Sequence, residues 1–225
     1  MDDLLEYILQ GLMSATPLEE LQLPPELART RYPLGALELV CRNWRSSQLE
    51  KLYAMRMKVK IPVLDIIGMA FHPKACFDIP LLQFDLSCTK KKIIAYMNVL
   101  AVFSDEDYGE RYLAPFEKIR AKYADFHPFK MPEWMETYRT RATIYADPEL
   151  ARLDELKACV REYFAQYLKI LTAAEEVADP ARLAGITRFH DTFKNDLITK
   201  DRSQIMLGKV IGREKAGRIF REVLT

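Results

Sequence analysis

The hydrophobic pattern divides this chain into a helical start, a block of strands and a helical end. Leu4, Ile8 and Leu12 recur at helical spacing and predict an amphipathic helix over residues 3–13. Apolar runs rich in β-branched and aromatic residues then predict strands at 36–42, 52–60, 63–71, 79–88 and 92–103. The spacers between these runs are short and polar, so neighbouring strands are expected to pair in antiparallel fashion.

After Ser104 the period changes to that of helices. We predict helices at 113–123, 149–176, 180–199 and 203–224, the last interrupted at 208–212, with one further strand at 137–145. The stretch 195–204 has no apolar stripe, which is typical of a solvent loop but also fits a lid that places Asp196 or Asp201 over the sheet. Strands and helices in separate runs indicate one α+β domain, residues 1–225, with an antiparallel sheet of about six or seven strands covered by helices.

Composition removes several classes of function. The 33 basic and 32 acidic residues nearly cancel, which argues against general nucleic-acid binding by electrostatics. No apolar window is long enough to span a bilayer, and the acidic N-terminus does not resemble a signal peptide, so we expect a soluble, cytoplasmic protein that makes no membrane contact. The three histidines and four cysteines lie far apart in sequence, so no metal site is predicted.

The predicted strand at 79–88 carries the most informative pattern. Leu82, Phe84 and Leu86 point to one face, which reads as a core face. The other face holds Leu81, Gln83, Asp85 and Ser87. A carboxylate among apolar neighbours is costly to bury unless it is paired or used, and the alternative on spacing alone is an aspartate that caps a turn at the strand end.

Four segments together resemble the ferredoxin-dependent bilin reductases. They are LELVCRNWRSSQLEKLYAMRMK (37–58), the block from LDIIGMAFHP to DIPLLQFDLSC (64–88), MPEWMETY (131–138) and KDRSQIMLGKVIGREKAGRIFREVLT (200–225). The resemblance implies a three-layer α/β/α sandwich around a central antiparallel sheet. It also implies an enzyme that reduces biliverdin with electrons from ferredoxin as external donor, without a bound metal or flavin, and we expect a monomer.

The resemblance also assigns two acids. Asp85 matches the family's central-strand aspartate, which lies beneath the bilin and donates a proton, and Asp201 is similar to a second aspartate on the other side of the pigment. Where the phycocyanobilin-forming branch has a Glu and a His on neighbouring strands, this chain has Arg56 and Gly68, and neither can donate a proton in that way. The two-aspartate arrangement of the phycoerythrobilin-forming branches fits better.

Other residues are candidates for holding the pigment. Cations are expected at its propionates, and we assign Arg139 and Arg141, which alternate onto one face of the predicted strand, together with Arg202 and Arg56. Gly68 would let the pigment approach the sheet closely, with Gln83 and Ser87 lining the same face.

Several alternatives remain open on sequence alone. Each of these arginines could be a plain surface charge. The chain could be a non-catalytic bilin- or haem-binding protein on the same fold, a relative that acts on an opened chlorophyll catabolite, or a structural protein without ligand. Lys90–Lys92 reads as a solvated hairpin turn or as a docking patch for an acidic partner.

Overall fold

A computed structural model describes residues 1–225, in which one antiparallel sheet of eight strands forms the centre. The strands are β1 (Glu19–Leu21), β2 (Arg29–Arg31), β3 (Leu37–Arg45), β4 (Leu49–Val59), β5 (Leu64–Pro73), β6 (Leu81–Thr89), β7 (Ile93–Leu100) and β8 (Ile144–Ala146). Their order is β1-β3-β4-β5-β6-β7-β8, and β2 pairs with β3 beside β1. The five long strands follow one another as a meander, because each connection is short.

Helices precede and follow this meander. They are α1 (Asp2–Ala15), α2 (Pro25–Ala28), α3 (Glu106–Tyr108), α4 (Ala114–Lys122), α5 (Glu133–Glu136), α6 (Leu153–Thr172), α7 (Pro180–Lys200), α8 (Ser203–Ile211) and α9 (Arg213–Arg218). Two π-helical segments, Gly109–Leu113 and Ile219–Leu224, and two 3₁₀ turns, Pro33–Gly35 and Leu150–Arg152, complete the elements. None of the helices combines the length and the apolar character that crossing a membrane requires.

The two faces of the sheet are covered by different helices. On one face, α1, α4 and α6 pack against Leu82, Phe84 and Leu86 in the larger core. On the other face, the end of α7, α8, α9 and the last π-helical segment pack against β3, β4 and β5 in a second core. The α+β class and the three layers predicted above are therefore confirmed, and the alternation in β6 divides its residues between the two faces as expected.

Three local predictions were wrong. The segment 137–145 is not a strand, since α5 is followed by turns and only Ile144–Ala146 pairs with β7. The helix predicted at 180–199 is confirmed and continues to Lys200, so the alternative of a solvent loop at 195–204 was wrong up to that residue; Asp196 and Leu197 are buried there against neighbouring elements. The sheet also gains β1 and β2, which are too short at three residues each to show a periodic pattern.

Candidate functional site

Asp85 lies in the middle of β6, on the face that the C-terminal helices cover. Its neighbours across the sheet are Gly68 on β5 and Tyr96 on β7, and Tyr96 in turn pairs with Tyr145 on β8. The position excludes the alternative in which this aspartate caps a turn, since four strand residues precede and four follow it. A carboxyl group therefore stands at the centre of the sheet.

The side chain of Asp85 folds over Gly68. A Cβ atom built on Gly68 would lie 2.5 Å from the Asp85 Oδ1, closer than two such atoms can approach. On the other carboxyl oxygen, the Gln83 amide donates a hydrogen bond of 3.1 Å from Nε2 to Oδ2. Gly68 thus makes room for the acid itself, while the expectation that it lets a pigment approach the sheet stays a prediction.

Asp201 reaches the same region from the opposite layer. It occupies the junction between α7 and α8, where its Oδ1 accepts a hydrogen bond of 2.8 Å from the Ser203 backbone N–H. The negative charge of Asp201 raises the pKa of Asp85 and also the pKa values of Tyr53, Tyr96 and Tyr145. The two predicted acids are therefore near enough for the charge of Asp201, beside the C-terminal helices, to act on Asp85 in the sheet.

The electrostatics of the site raise the pKa of both acids. Burial, and second the charge of Asp201, raise the pKa of Asp85 from 3.8 to about 7, although the Gln83 hydrogen bond opposes the shift. Burial also raises the pKa of Asp201, against its hydrogen bonds from Ser203. No cation is among the groups that shift either carboxyl group. Asp85 can therefore act as an acid near pH 7, as a proton donor must.

Three tyrosines around the acids were missed by the sequence analysis. Tyr53 and Tyr96 are buried and Tyr145 is half-buried, and burial raises the pKa of each phenol. Tyr96 and Tyr145 meet edge to face, with ring centroids 5.8 Å apart. Tyr96 could have been predicted from the pairing of β6 with β7, because it lies opposite Asp85. Tyr145 could have been predicted only if the ends of β8 had been known.

A buried amide fixes the segment that follows α5. The Asn98 side chain donates a hydrogen bond to the Tyr138 carbonyl at 2.8 Å and accepts one from the Thr143 hydroxyl at 2.6 Å. The Tyr138 hydroxyl donates in turn to Asp196 on α7 at 2.9 Å, and Lys200 pairs with the same carboxylate. Asp196 is thus engaged in holding α7 against this segment, which leaves Asp201 as the acid that faces the sheet.

Arg56 does not belong to the site. It points to the opposite face of the sheet, where it bonds Asp2 of α1 and Asp65 of β5 and donates to the Ile66 carbonyl. The alternation of side chains along β4 explains this result. Tyr53, Met55 and Met57 point to the face of the sheet that carries Asp85, so Arg56 points to the opposite face. The prediction that Arg56 binds the pigment was wrong.

The other predicted cations lie at the periphery. Arg139 and Arg141 sit in turns rather than on a strand, paired with Glu136 and Glu117 respectively. Both line a cavity of about 560 Å³ between the end of β7 and α7, and neither Asp85 nor Asp201 lines it. Arg202 is exposed beside Asp201, and Ser87 lies two residues from Asp85 on the same face of β6.

Comparison with known proteins points to one family. The sequence profile of the ferredoxin-dependent bilin reductases matches residues 5–225. The chain therefore belongs to the ferredoxin-dependent bilin reductase family, and its class of activity is ferredoxin-dependent bilin reduction.

Individual relatives agree with this assignment. A 15,16-dihydrobiliverdin:ferredoxin oxidoreductase from Nostoc punctiforme is 24% identical over 229 residues, covering 98% of this chain and 92% of the relative. Phytochromobilin synthase from tomato, solved in complex with biliverdin, superposes with a TM-score of 0.89 at 17% identity, covering 97% of this chain and 80% of the other. The structure of PcyX superposes with a TM-score of 0.61 at 13% identity, with coverages of 97% and 93%. These two structures support the fold.

Proposed function

We propose that this protein reduces biliverdin or a closely related linear tetrapyrrole with electrons from ferredoxin, and that Asp85 and Asp201 donate the protons. The observation that carries the proposal is a pair of partly buried carboxyl groups, Asp85 on the sheet and Asp201 at the junction of the covering helices; burial raises the pKa of each, and no cation is among the groups that shift them. Asp85, with its pKa raised to about 7, keeps its proton up to the neutral range, where an ordinary aspartate has lost it, and burial shifts the pKa of Asp201 in the same direction.

The chemistry requires such groups. Reduction of one carbon–carbon double bond consumes two electrons and two protons, and ferredoxin supplies the electrons singly. Each electron makes the pigment a stronger base, and a proton from a nearby carboxylic acid neutralises the radical before the next electron arrives. The acid then regains its proton from solvent. Because Asp85 and Asp201 approach a flat pigment from opposite layers, their positions would decide which carbon receives each proton.

Neighbouring residues fit supporting roles. The Gln83 amide orients the Asp85 carboxyl, and Ser87 offers a hydroxyl further along the same strand. Tyr53 and Tyr96 present rigid aromatic walls with hydroxyl groups near the acids. Arg202 beside Asp201, and Arg139 once it exchanges its bond to Glu136, are the cations we assign to the propionates, with Arg141 further out.

Two names suggest which pigments to test first. The Nostoc relative is named for 15,16-dihydrobiliverdin, and the tomato enzyme was solved with biliverdin. The experiment mixes pure protein with each pigment and records the absorption spectrum, first alone and then with reduced ferredoxin. We expect a shifted spectrum on binding and bleaching toward a reduced bilin after ferredoxin is added. No spectral change on mixing would refute the proposal.

One alternative shares the same first step. A non-catalytic bilin- or haem-binding protein would shift the pigment spectrum but leave it unchanged when reduced ferredoxin is added. Asp85→Asn supplies the matched comparison, because the amide keeps the shape of the side chain and lacks the acid. If the native protein and this variant give identical pigment products at identical rates, the proton-donor assignment is wrong.

A further inference from the structure

Exposed apolar side chains gather in three neighbouring segments at one end of the sheet. Seven of the ten large exposed hydrophobic residues lie there. They are Tyr32, Leu34, Ile61, Val63, Ile205, Met206 and Val210, which we call the apolar rim. Single exposed hydrophobic residues are normal, but a group of this size on one surface is typical of an interaction site.

Hydrogen bonds show that the three segments adjoin. The Tyr32 hydroxyl donates to the Val210 carbonyl of α8 at 2.6 Å. Lys60, at the turn between β4 and β5, donates from its backbone to Ala36 at 3.0 Å and from its Nζ to the Leu34 carbonyl at 2.9 Å. The loop before β3, the β4–β5 turn and α8 therefore form one continuous surface.

Unpaired cations surround this rim. The β6–β7 turn holds Lys90 and Lys91 at the same end of the sheet, because Thr89 pairs with Leu64 at the start of β5. Both lysines and Lys209 of α8 are exposed and make no ion pair, as is true of Arg213 at the start of α9. Two nearby carboxylates are neutralised, Glu38 by Arg29 and Arg31 and Asp65 by Arg56, whereas Glu214 beside Arg213 is exposed and makes no ion pair, so the four cations still outnumber the free acid. The surface is thus apolar at its centre and positive at its edge.

The rim is also close to the acids. Ile205 and Met206 follow Asp201 by four and five residues, which is roughly 6–8 Å along a helix. The buried side of the same helix, at Leu207 and Ile211, packs on the sheet face that carries Asp85. A protein bound to the rim would therefore be separated from the sheet face of Asp85 by a single layer of helices.

We propose that the apolar rim and its cations are the docking surface for the acidic electron-donor protein, the ferredoxin. This inference rests on the proposed function and adds the place at which electrons enter. Charge complementarity selects an acidic partner and accelerates its encounter, while the apolar centre holds the complex after contact. The same reasoning assigns Lys90 and Lys91 to the docking patch that the sequence had left open.

The test compares two charge reversals. Lys90→Glu/Lys209→Glu changes the proposed surface, and the control Lys118→Glu/Lys169→Glu changes two exposed, unpaired lysines on α4 and α6, which cover the opposite face. For the first variant we expect the KM for ferredoxin to rise by about tenfold or more and its dependence on salt to weaken, with kcat less affected. For the control we expect native values.

A small reducing dye separates this inference from the proposed function. With the dye as electron source, both variants should bind and reduce the pigment like the native protein. If the native protein reduces no pigment with either donor, the proposed function fails. If it does, but Lys90→Glu/Lys209→Glu keeps the native KM for ferredoxin or loses pigment binding, the docking surface lies elsewhere. Ile205→Ser/Met206→Ser must weaken ferredoxin use in the same selective way.

Discussion

At the scale of single residues, the site depends on one unusual carboxyl group and the glycine beneath it. No cation is among the groups that shift the pKa of Asp85, and burial is the main cause of its raised value. The position of the carboxyl group depends on Gly68, over which it lies. The proton therefore stays on the carboxyl group up to about pH 7, and the missing Cβ atom of Gly68 fixes where that proton is presented.

Gly68→Ala tests the position. The added methyl group collides with Asp85 Oδ1, so the carboxyl group must rotate away. A displacement of about 1 Å can cost on the order of 100-fold in rate, and we expect turnover to fall by about that factor while pigment binding persists. Steady-state rates with reduced ferredoxin provide the measurement.

Gly11→Ala is the matched control for this change. It creates a similar collision, 2.8 Å from a ring carbon of Phe164, but on the other face of the sheet. Its stability should fall and its turnover should not. Equal losses of turnover in the two variants would show that Gly68 acts only through stability.

The raised pKa of Asp85 also predicts a pH-dependent stability. Between pH 3.8 and about 7 the unfolded chain releases a proton that the folded chain retains, so the free energy of unfolding falls as the pH rises, and the loss is complete above about pH 7. Asp85→Asn removes this cost, and we expect a gain over the native protein of up to about 4 kcal/mol at pH 8 and almost none at pH 4.

Urea unfolding at the two pH values measures that difference. The exposed Asp191→Asn on α7 provides the control and should show no such change. An Asp85→Asn variant that is no more stable than the native protein at pH 8 would mean that the carboxyl group is ionised in the fold without penalty.

At the scale of elements, the long strands were predictable and the short ones were not. The five runs between residues 36 and 103 show clear apolar patterns, and each became a strand with shifted ends. β8 is only three residues long, and its place is fixed by pairing with β7 and by Asn98, neither of which is visible in local sequence. The polar end of α7 is helical because tertiary contacts of Asp196 and Leu197 outweigh its weak local pattern.

Prediction of the candidate-site residues also depended on how clear the pattern of each strand was. Asp85 was placed correctly by the period-two pattern and by the resemblance, because its strand is long and regular. Arg56 lies on β4, which was also predicted as a strand, although β4 begins at Leu49 and has eleven residues. The sequence pattern was not used to assign Arg56 to one face of the sheet, and its side chain was therefore placed on the wrong face. Tyr145 required the boundaries of β8, which depend on packing.

Arg56 therefore belongs to the contact between α1 and the sheet, and this assignment is testable. Arg56→Ala leaves Asp65 without a partner and removes the bond to Asp2, so we expect a loss of about 1–3 kcal/mol in the free energy of unfolding. The pigment dissociation constant, measured by absorption titration, should be unchanged. A clear loss of pigment affinity in a folded variant would return Arg56 to the site.

At the scale of the whole molecule, the two faces of the sheet differ in what covers them. The face toward α1, α4 and α6 is a continuous apolar core that holds the sheet rigid. The face toward the C-terminal helices has a smaller core beside a polar centre, where two partly buried acids lie among tyrosines. An apolar core on one side and a polar centre on the other fit the proposed function, in which protons reach the pigment from the polar face.

The most direct test of this account is the reduction of biliverdin by Asp85→Asn under reduced ferredoxin, followed by absorption and electron paramagnetic resonance. We predict that the variant binds the pigment, accepts the first electron and accumulates a bilin radical, while product forms on the order of 100- to 10,000-fold more slowly than in the native protein. Product formation at the native rate, with no radical accumulating, would contradict the central claim that Asp85 supplies the proton.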